Sequence, residues 1–391
     1  MKHLSLFVAL LFLISCQKSE EDYQIISSYP NVEATFANQI DLNHLANYAN
    51  QQIPNYITRD NTGINFITDK GATLGRILFY DKNLSSSNTI SCSSCHQQKN
   101  AFGDTATASL GVNGTTTRHT MRLINTRFAV ETKFFWDERA PTLELQTTQP
   151  IQNHTEMGFS GTQNDLPFSA LITKIKTIGY YKELFQFVYG NDEITENKIQ
   201  LALAQFIRSI QSFDSKYDAG RSVINNDLEP FLNFTPQENN GKLLFNSMPV
   251  YNLNGERISG GLGCFQCHKG PEFDIDPNSK NNGFVASLQS IQKDFSNTRS
   301  PSLRDLTKAD GTANGPMMHA GQFATINAAI GHYGTINTLN GNNNLDPRLT
   351  NRGIGQHLNL TQTEVENVAA FIKSLAGIQV YTDQKWSNPF E

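Results

Sequence analysis

The sequence predicts a mainly α-helical chain of two similar domains packed against each other. Three observations predict it. Helix start signals recur ahead of apolar residues at helical spacing. One short stretch occurs twice, as Gly75-Arg76-Ile77-Leu78-Phe79 and as Gly241-Lys242-Leu243-Leu244-Phe245, and each copy leads into a loop carrying the same five-residue motif. Long alternating strands are absent. A length of 391 residues suits two such domains.

Taken in order, the chain opens with Lys2 and an apolar run over 4–14. That run is too short to span a bilayer, which needs about 20 residues. It reads as a secretory signal sequence occupying 1–15. It ends Leu13-Ile14-Ser15-Cys16, which resembles a bacterial lipobox with Cys16 as the lipidated first residue. The expectation is therefore a periplasmic or cell-envelope protein anchored to a membrane by lipid. Residues 16–69 read as the lipid tether, polar over 17–23, and an N-terminal helical extension. The first domain is expected over 70–225. In its 196–213 stretch, Ile199, Leu203, Phe206, Ile207 and Ile210 keep helical spacing. A linker is expected near 222–233 and the second domain over 226–391. There, Thr235, Pro236 and Glu238 form a capping box with proline at the first helical position. Thr361 and Glu364 form another, opening a helix over 362–375 with Val365, Val368, Ala369, Ile372 and Leu375 on one face and Gly377 as its stop. Regions 100–120, 250–263 and 274–300 are rich in Gly, Asn, Ser and Asp and read as loops.

Hydrophobic residues make up 38% of the chain, and 25 are Phe, so a sizeable core can form and disorder is excluded. The net charge of −5 argues against nucleic-acid binding, which needs a basic face.

There are 5 cysteines. Apart from Cys16 they fall in Cys92-Ser93-Ser94-Cys95-His96 and Cys264-Phe265-Gln266-Cys267-His268. This is C-x-x-C-H twice, the attachment sequence of c-type haem. Two thiols bond to one haem edge, and the adjacent histidine reaches the iron. Two disulfides or a four-cysteine zinc site would use the same thiols but leave both histidines unexplained. The reading is two covalently bound haem c groups in two cytochrome-c-like haem domains.

From about Leu74 to Leu375 the chain resembles the bacterial dihaem cytochrome c peroxidase family, which includes the MauG-type enzymes. The resemblance rests on Leu74-Gly75-Arg76 with Leu78-Phe79-Tyr80-Asp81 and Leu84-Ser85; on Phe135-Trp136-Asp137-Glu138-Arg139-Ala140-Pro141; on Pro150-Ile151 with Glu156-Met157-Gly158; and on Pro316-Met317-Met318-His319-Ala320-Gly321. It implies reduction of hydrogen peroxide to water with electrons from a small donor protein, a cytochrome c or a cupredoxin. It implies that His96 is the proximal ligand of a peroxidatic haem and His268 that of an electron-transfer haem. Trp136 matches the Trp between the haems, and Gln146, Pro150 and Glu156 match the distal pocket. The chemistry agrees. Cleaving an O–O bond needs a group that takes a proton from one oxygen and returns it to the other, which a carboxylate in a partly dry pocket can do. Gln146 suits orientation of peroxide or water. Asp137 and Arg139 read as propionate partners or as a local ion pair.

Three departures from the family pattern stand out. In Ser109-Leu110-Gly111-Val112, Val112 replaces the His that closes the peroxidatic haem in many members, so that haem is expected open; nearby His119 reads first as an exposed or propionate-bound histidine, with the role of substitute ligand as the alternative. Tyr333 falls where the electron-transfer haem takes its sixth ligand, as in MauG-type members, with Met317, Met318 and His332 as rivals. The resemblance also implies an interdomain calcium, yet His119 stands at the position of its Asn ligand, with Asn314 and Pro316 at the carbonyl positions. Imidazole is a poor ligand for a hard cation. Beside the peroxidase, two other functions remain open: a MauG-like oxidase acting on a protein substrate, and a non-enzymatic dihaem electron carrier.

Overall fold

The computed structural model describes residues 28–391; the leader and Cys16 lie outside the described residues. The first unit contains α1 (Pro30–Phe36), α2 (Asp69–Tyr80), α3 (Cys92–Cys95), α4 (Leu143–Thr147), α5 (Phe168–Ile175), α6 (Gly179–Tyr189) and α7 (Glu196–Ser209). Then follow α8 (Lys216–Arg221), α9 (Pro236–Asn246), α10 (Ile326–His332) and α11 (Gln362–Lys373). The described strands are two to four residues long and pair only as two-stranded antiparallel hairpins. The fold is mainly helical, as the sequence predicts.

Each unit is built on one close helix crossing. In the first, α2 lies along α7. The approach is so tight at Gly75 that a Cβ there would sit 2.0 Å from the Ala202 carbonyl oxygen. In the second, α9 lies along α11, and a Cβ on Gly241 would sit 1.8 Å from the Asn367 carbonyl oxygen. The repeated stretch therefore performs the same task twice: its glycine lets two backbones touch, and its Phe79 or Phe245 enters the core one turn later.

The helix starts are those expected. The Glu238 N–H donates to Thr235 Oγ1, and the Glu364 N–H donates to Thr361 Oγ1, both at 3.2 Å. The Glu238 carboxylate accepts from the Thr235 N–H at 2.6 Å, and that of Glu364 from the Thr361 N–H at 3.0 Å. Two expectations need correction. First, α7 stops at Ser209 instead of reaching 213. Asn125 holds the next residues extended: its N–H donates to the Ile210 carbonyl at 2.9 Å, and its Oδ1 accepts from the Ser212 N–H at 2.8 Å. Second, two regions read as loops contain hairpins. These are β1 (Leu110–Gly111) with β2 (Gly114–Thr115), and β3 (Pro249–Tyr251) with β4 (Arg257–Gly260). The second is shaped by its turn, where Asn252 Oδ1 accepts from the Asn254 and Glu256 N–H groups. Tyr251 packs on the second core while Val250 and Ile258 stay exposed, too little alternation to mark it in the sequence.

Two apolar cores form, one around α2, α6 and α7, the other around α9 and α11. Tyr217 on α8 already belongs to the second core. After α11 the chain returns to the first, where Val380 and Trp386 are buried. The Tyr80 hydroxyl donates to the Trp386 carbonyl at 2.6 Å, and Trp386 Nε1 donates to Ser209 Oγ at 3.3 Å. Fully buried Arg304 is paired with Asp218 on α8 at 2.9 Å, and between the units Arg122 Nη2 donates to the Ser302 carbonyl at 2.9 Å.

Candidate active site

The two C-x-x-C-H motifs open onto two separate cavities. Counting the open mouths, the first holds about 590 Å³ of free space and the second about 1530 Å³. Cys92, Cys95 and His96 line the first; Cys264, Cys267 and His268 line the second. The four thiols are unpaired, and the two pairs face different cavities, so neither a disulfide nor one four-cysteine zinc site forms among them.

Both histidines are prepared alike. Nδ1–H of His96 donates to the Phe102 carbonyl at 3.0 Å, and Nδ1–H of His268 donates to the Phe273 carbonyl at 3.3 Å. A carbonyl only accepts, so the proton sits on Nδ1 and the Nε2 lone pair is left for a metal. Burial depresses both imidazoles, His268 to about 4, which keeps them in the neutral ligand form. Phe102 and Phe273 have φ of 58° and 53°. This is uncommon for large side chains, and it turns each carbonyl back onto its histidine. The sequence reading missed these two phenylalanines. Their signal was a Phe with an Asp close behind it, Phe102-Gly103-Asp104 and Phe273-Asp274, shortly after each motif. Thiol pair, neutral imidazole and cavity together fit a covalently attached haem at each place.

Gln146, Pro150 and Glu156 line the first cavity together with His96. Gln146 comes from α4, whose start is capped by Thr142. Glu156 lies in the following turn, its N–H bonded to Asn153 Oδ1 at 3.1 Å and its carbonyl accepting from the Val112 N–H at 3.1 Å. Burial raises its carboxyl above the usual carboxylate range, and Arg139 partly offsets this. Arg139 is engaged locally, paired with Asp137 at 2.9 Å and stacked over the Phe135 ring at 3.5 Å. Asp137 also binds Arg118 at 2.7 Å. The local ion-pair reading is thus the one these contacts match.

His119 is not on the wall of the first cavity, which corrects its reading as a substitute ligand there. It lines the second, and its Nδ1 donates to the Ala106 carbonyl at 3.0 Å. An imidazole stands here in place of a carboxamide oxygen, and imidazole is a poor ligand for calcium. Trp136, 9% exposed, also lines the second cavity. Its Nε1 donates to the His119 carbonyl at 2.7 Å, and its own carbonyl accepts from the Thr298 and Arg299 N–H groups. From there residues 119–123 run from the second cavity to the first, which Leu123 lines.

Tyr333, Met317 and Met318 line the second cavity with His268. The Tyr333 hydroxyl accepts from Asn282 Nδ2 at 3.0 Å, and burial raises its phenol. His332 is directed elsewhere. It lines a different, more open pocket, and its Nε2 donates to the Asn282 carbonyl at 3.0 Å.

This architecture is that of a protein built to carry two c-type haems. Residues 69–223 match the family model of the di-haem cytochrome c peroxidases. Among curated relatives, the methylamine utilization protein MauG of Methylophilus methylotrophus is 29% identical over 324 residues, covering 80% of this chain and 84% of the relative. Cytochrome c551 peroxidase of Nitrosomonas europaea is 27% identical over 330 residues, covering 79% and 80%. Among solved structures, a MauG-like protein associated with microbial copper homeostasis superposes with a TM-score of 0.67 at 24% identity, covering 88% of this chain and 99% of the other. The diheme peroxidase BthA of Burkholderia thailandensis gives 0.60 at 19% identity, covering 88% and 92%. These structures establish the shared fold. The relatives' names are of both kinds, peroxidase and MauG.

Proposed function

We propose that this chain is a dihaem cytochrome c peroxidase that reduces hydrogen peroxide to water at the first cavity, with electrons arriving from a small donor protein through the second. The observation that carries the reading is Glu156, a carboxylate with a raised proton affinity in the cavity that His96 lines. Covalently bound haem would supply iron that exchanges one electron at a time. Cys92 and Cys95 would attach it, and His96 would hold its iron through Nε2. Gln146 orients peroxide, and Glu156 takes the proton from its nearer oxygen and returns it to the leaving one. Val112 offers no ligand in place of the closing His, so the site is ready in the oxidised protein. Signal sequence and Cys16 support secretion and a lipid anchor; no helix among the described residues is long and apolar enough to cross a membrane.

The test uses protein matured in a haem-competent host. Its mass exceeds that of the apo-chain by two haem units, its oxidised form reacts with peroxide without prior reduction, and it consumes peroxide with reduced cytochrome c as donor. Absence of turnover with any reduced donor protein overturns the peroxidase.

Trp136 is proposed to pass electrons between the centres. Trp136→Phe loses one buried hydrogen bond, worth about 1 kcal/mol, and keeps the fold. Stopped-flow reduction of the first centre by a pre-reduced second centre is expected to slow strongly. A wild-type rate leaves Trp136 as core alone.

A MauG-like oxidase of a protein substrate is the second reading, and Tyr333 favours it. A Tyr oxygen on the second iron favours the oxidised state, whereas a thioether favours the reduced one. Tyr333→Met is therefore expected to raise the second potential in a spectroelectrochemical titration. An unchanged spectrum and potential in Tyr333→Phe would pass the ligand role to Met317 or Met318.

A further inference from the structure

Behind the first cavity, α2 ends at Asp81, and two phenols converge on that carboxylate. Tyr180 and Tyr181, in the first turn of α6, each donate to Asp81 Oδ2 at 2.6 Å. The other oxygen accepts from the Asn83 N–H at 2.8 Å. The two rings lie 4.7 Å apart, centre to centre. Tyr181 is fully buried, Asp81 is 3% exposed and Tyr180 is 8% exposed. Tyr181 lies in the first core, against which Cys92 packs. Tyr180 stands beside Phe390, which reaches the surface.

Two other tyrosines donate to carboxylates already paired with arginine, Tyr56 to Asp218, held by Arg304, and Tyr217 to Asp227, beside Arg221; Tyr381 donates to Asp305 Oδ1 at 3.0 Å as the single phenol on that carboxylate. A carboxylate paired with a cation is a weak proton acceptor. Asp81 has no arginine partner among the described residues; Lys174 acts on it only through its charge. Burial and the Asp81 charge keep both phenols un-ionised, so a proton leaves either of them only together with an electron.

We propose that Tyr181, Tyr180 and Asp81 form a one-electron relay between the first centre and the surface near Phe390, separate from Trp136. It rests on the peroxide reading above, with peroxide as the oxidant. One electron leaves Tyr181 for the peroxide-oxidised first centre, its O–H bond breaks, and the proton passes to Asp81 Oδ2. Tyr180 then refills Tyr181. Its electron crosses the ring contact, its proton goes to Asp81, and the proton already there returns to Tyr181. Asp81 never holds more than one proton. A soluble one-electron reductant such as ascorbate restores Tyr180 by supplying an electron, with a proton returning from Asp81.

The test mixes the dihaem protein with peroxide in the absence of donor and freezes it for electron paramagnetic resonance, with peptide mapping of oxidised tyrosine alongside. A tyrosyl signal is expected, lost in Tyr181→Phe while both haem spectra stay native. Tyr180→Phe keeps the signal but loses the oxidation products on Tyr180 and the quenching by ascorbate. Asp81→Asn, which cannot take the proton, loses the signal; the two Phe variants decide the matter if it fails to fold. A tyrosyl signal that survives in the double Phe variant overturns the relay. So does its absence from wild type when peroxide changes the haem spectrum, and the peroxidase then stands. If peroxide leaves the spectrum unchanged, relay and peroxidase fall together.

Discussion

Glu156→Gln is expected to lower peroxide turnover by about 10²–10⁴-fold, the usual share of a positioned acid–base group, while both attached groups and the fold remain. The amide keeps the shape of the side chain and its place in the cavity that His96 lines. It loses the ability to accept a proton and give it back. Folding is not at stake, because the backbone of Glu156 is held by Asn153 and Val112 independently of the carboxylate. The pH profile supplies a second check. Proton acceptance requires the ionised form, and burial raises the carboxyl above its ordinary 4.5. Wild-type turnover is therefore expected to fall as pH drops through a value above 4.5, and the Gln variant loses that limb. Turnover in Glu156→Gln within a few-fold of wild type, with the limb intact, moves the proton step to another group.

Most of what places this carboxylate was readable beforehand, and the reason is local. Thr235 and Thr361 announce their helices through a hydroxyl and a carboxylate three residues apart, and both capping boxes form. The two motifs carry their chemistry in five consecutive residues, and each meets its own cavity. Resemblance gathered Gln146, Pro150 and Glu156, and they do line one cavity with His96. What escaped is non-local. Nothing in the composition of 376–391 says that Val380 and Trp386 return to the first core, since irregular backbone has no period to read. The end of α7 depends on Asn125, far away in sequence, so the apolar spacing that continues to Ile210 overshoots it. The turn around Asn252 makes a hairpin in which Tyr251 packs on the second core while Val250 and Ile258 stay exposed, too little alternation to read in the sequence. His119 illustrates the same limit. It lies between the motifs in sequence, but its ring is committed to Ala106 and its backbone to His319.

Gly75→Ala and Gly241→Ala are each expected to destabilise their own unit, by about 2 kcal/mol or more. Overfilling a packed contact costs about 1–3 kcal/mol, and at the top of that range when the obstacle is backbone. The added methyl would lie 2.0 Å from the Ala202 oxygen in one case and 1.8 Å from the Asn367 oxygen in the other. Neither oxygen can turn aside, because each belongs to the helix that forms the other half of the crossing. Against this stands a gain of about 1 kcal/mol from replacing glycine inside a helix. Gly331 on α10 isolates that gain, because a Cβ there meets nothing within 4 Å and the residue is exposed. Gly331→Ala is expected to stabilise by about 0.4–1 kcal/mol. The same substitution thus changes sign with the space around it. Thermal melts of the three variants read this directly: at about 2–4 °C per kcal/mol for units of this size, the two crossing variants lose about 4–8 °C and Gly331→Ala gains a degree or two. Equal melting temperatures for Gly75→Ala, Gly241→Ala and wild type would mean that the crossings yield. The repeat would then be a matter of helix ends, and its glycines would not be what brings the helices together.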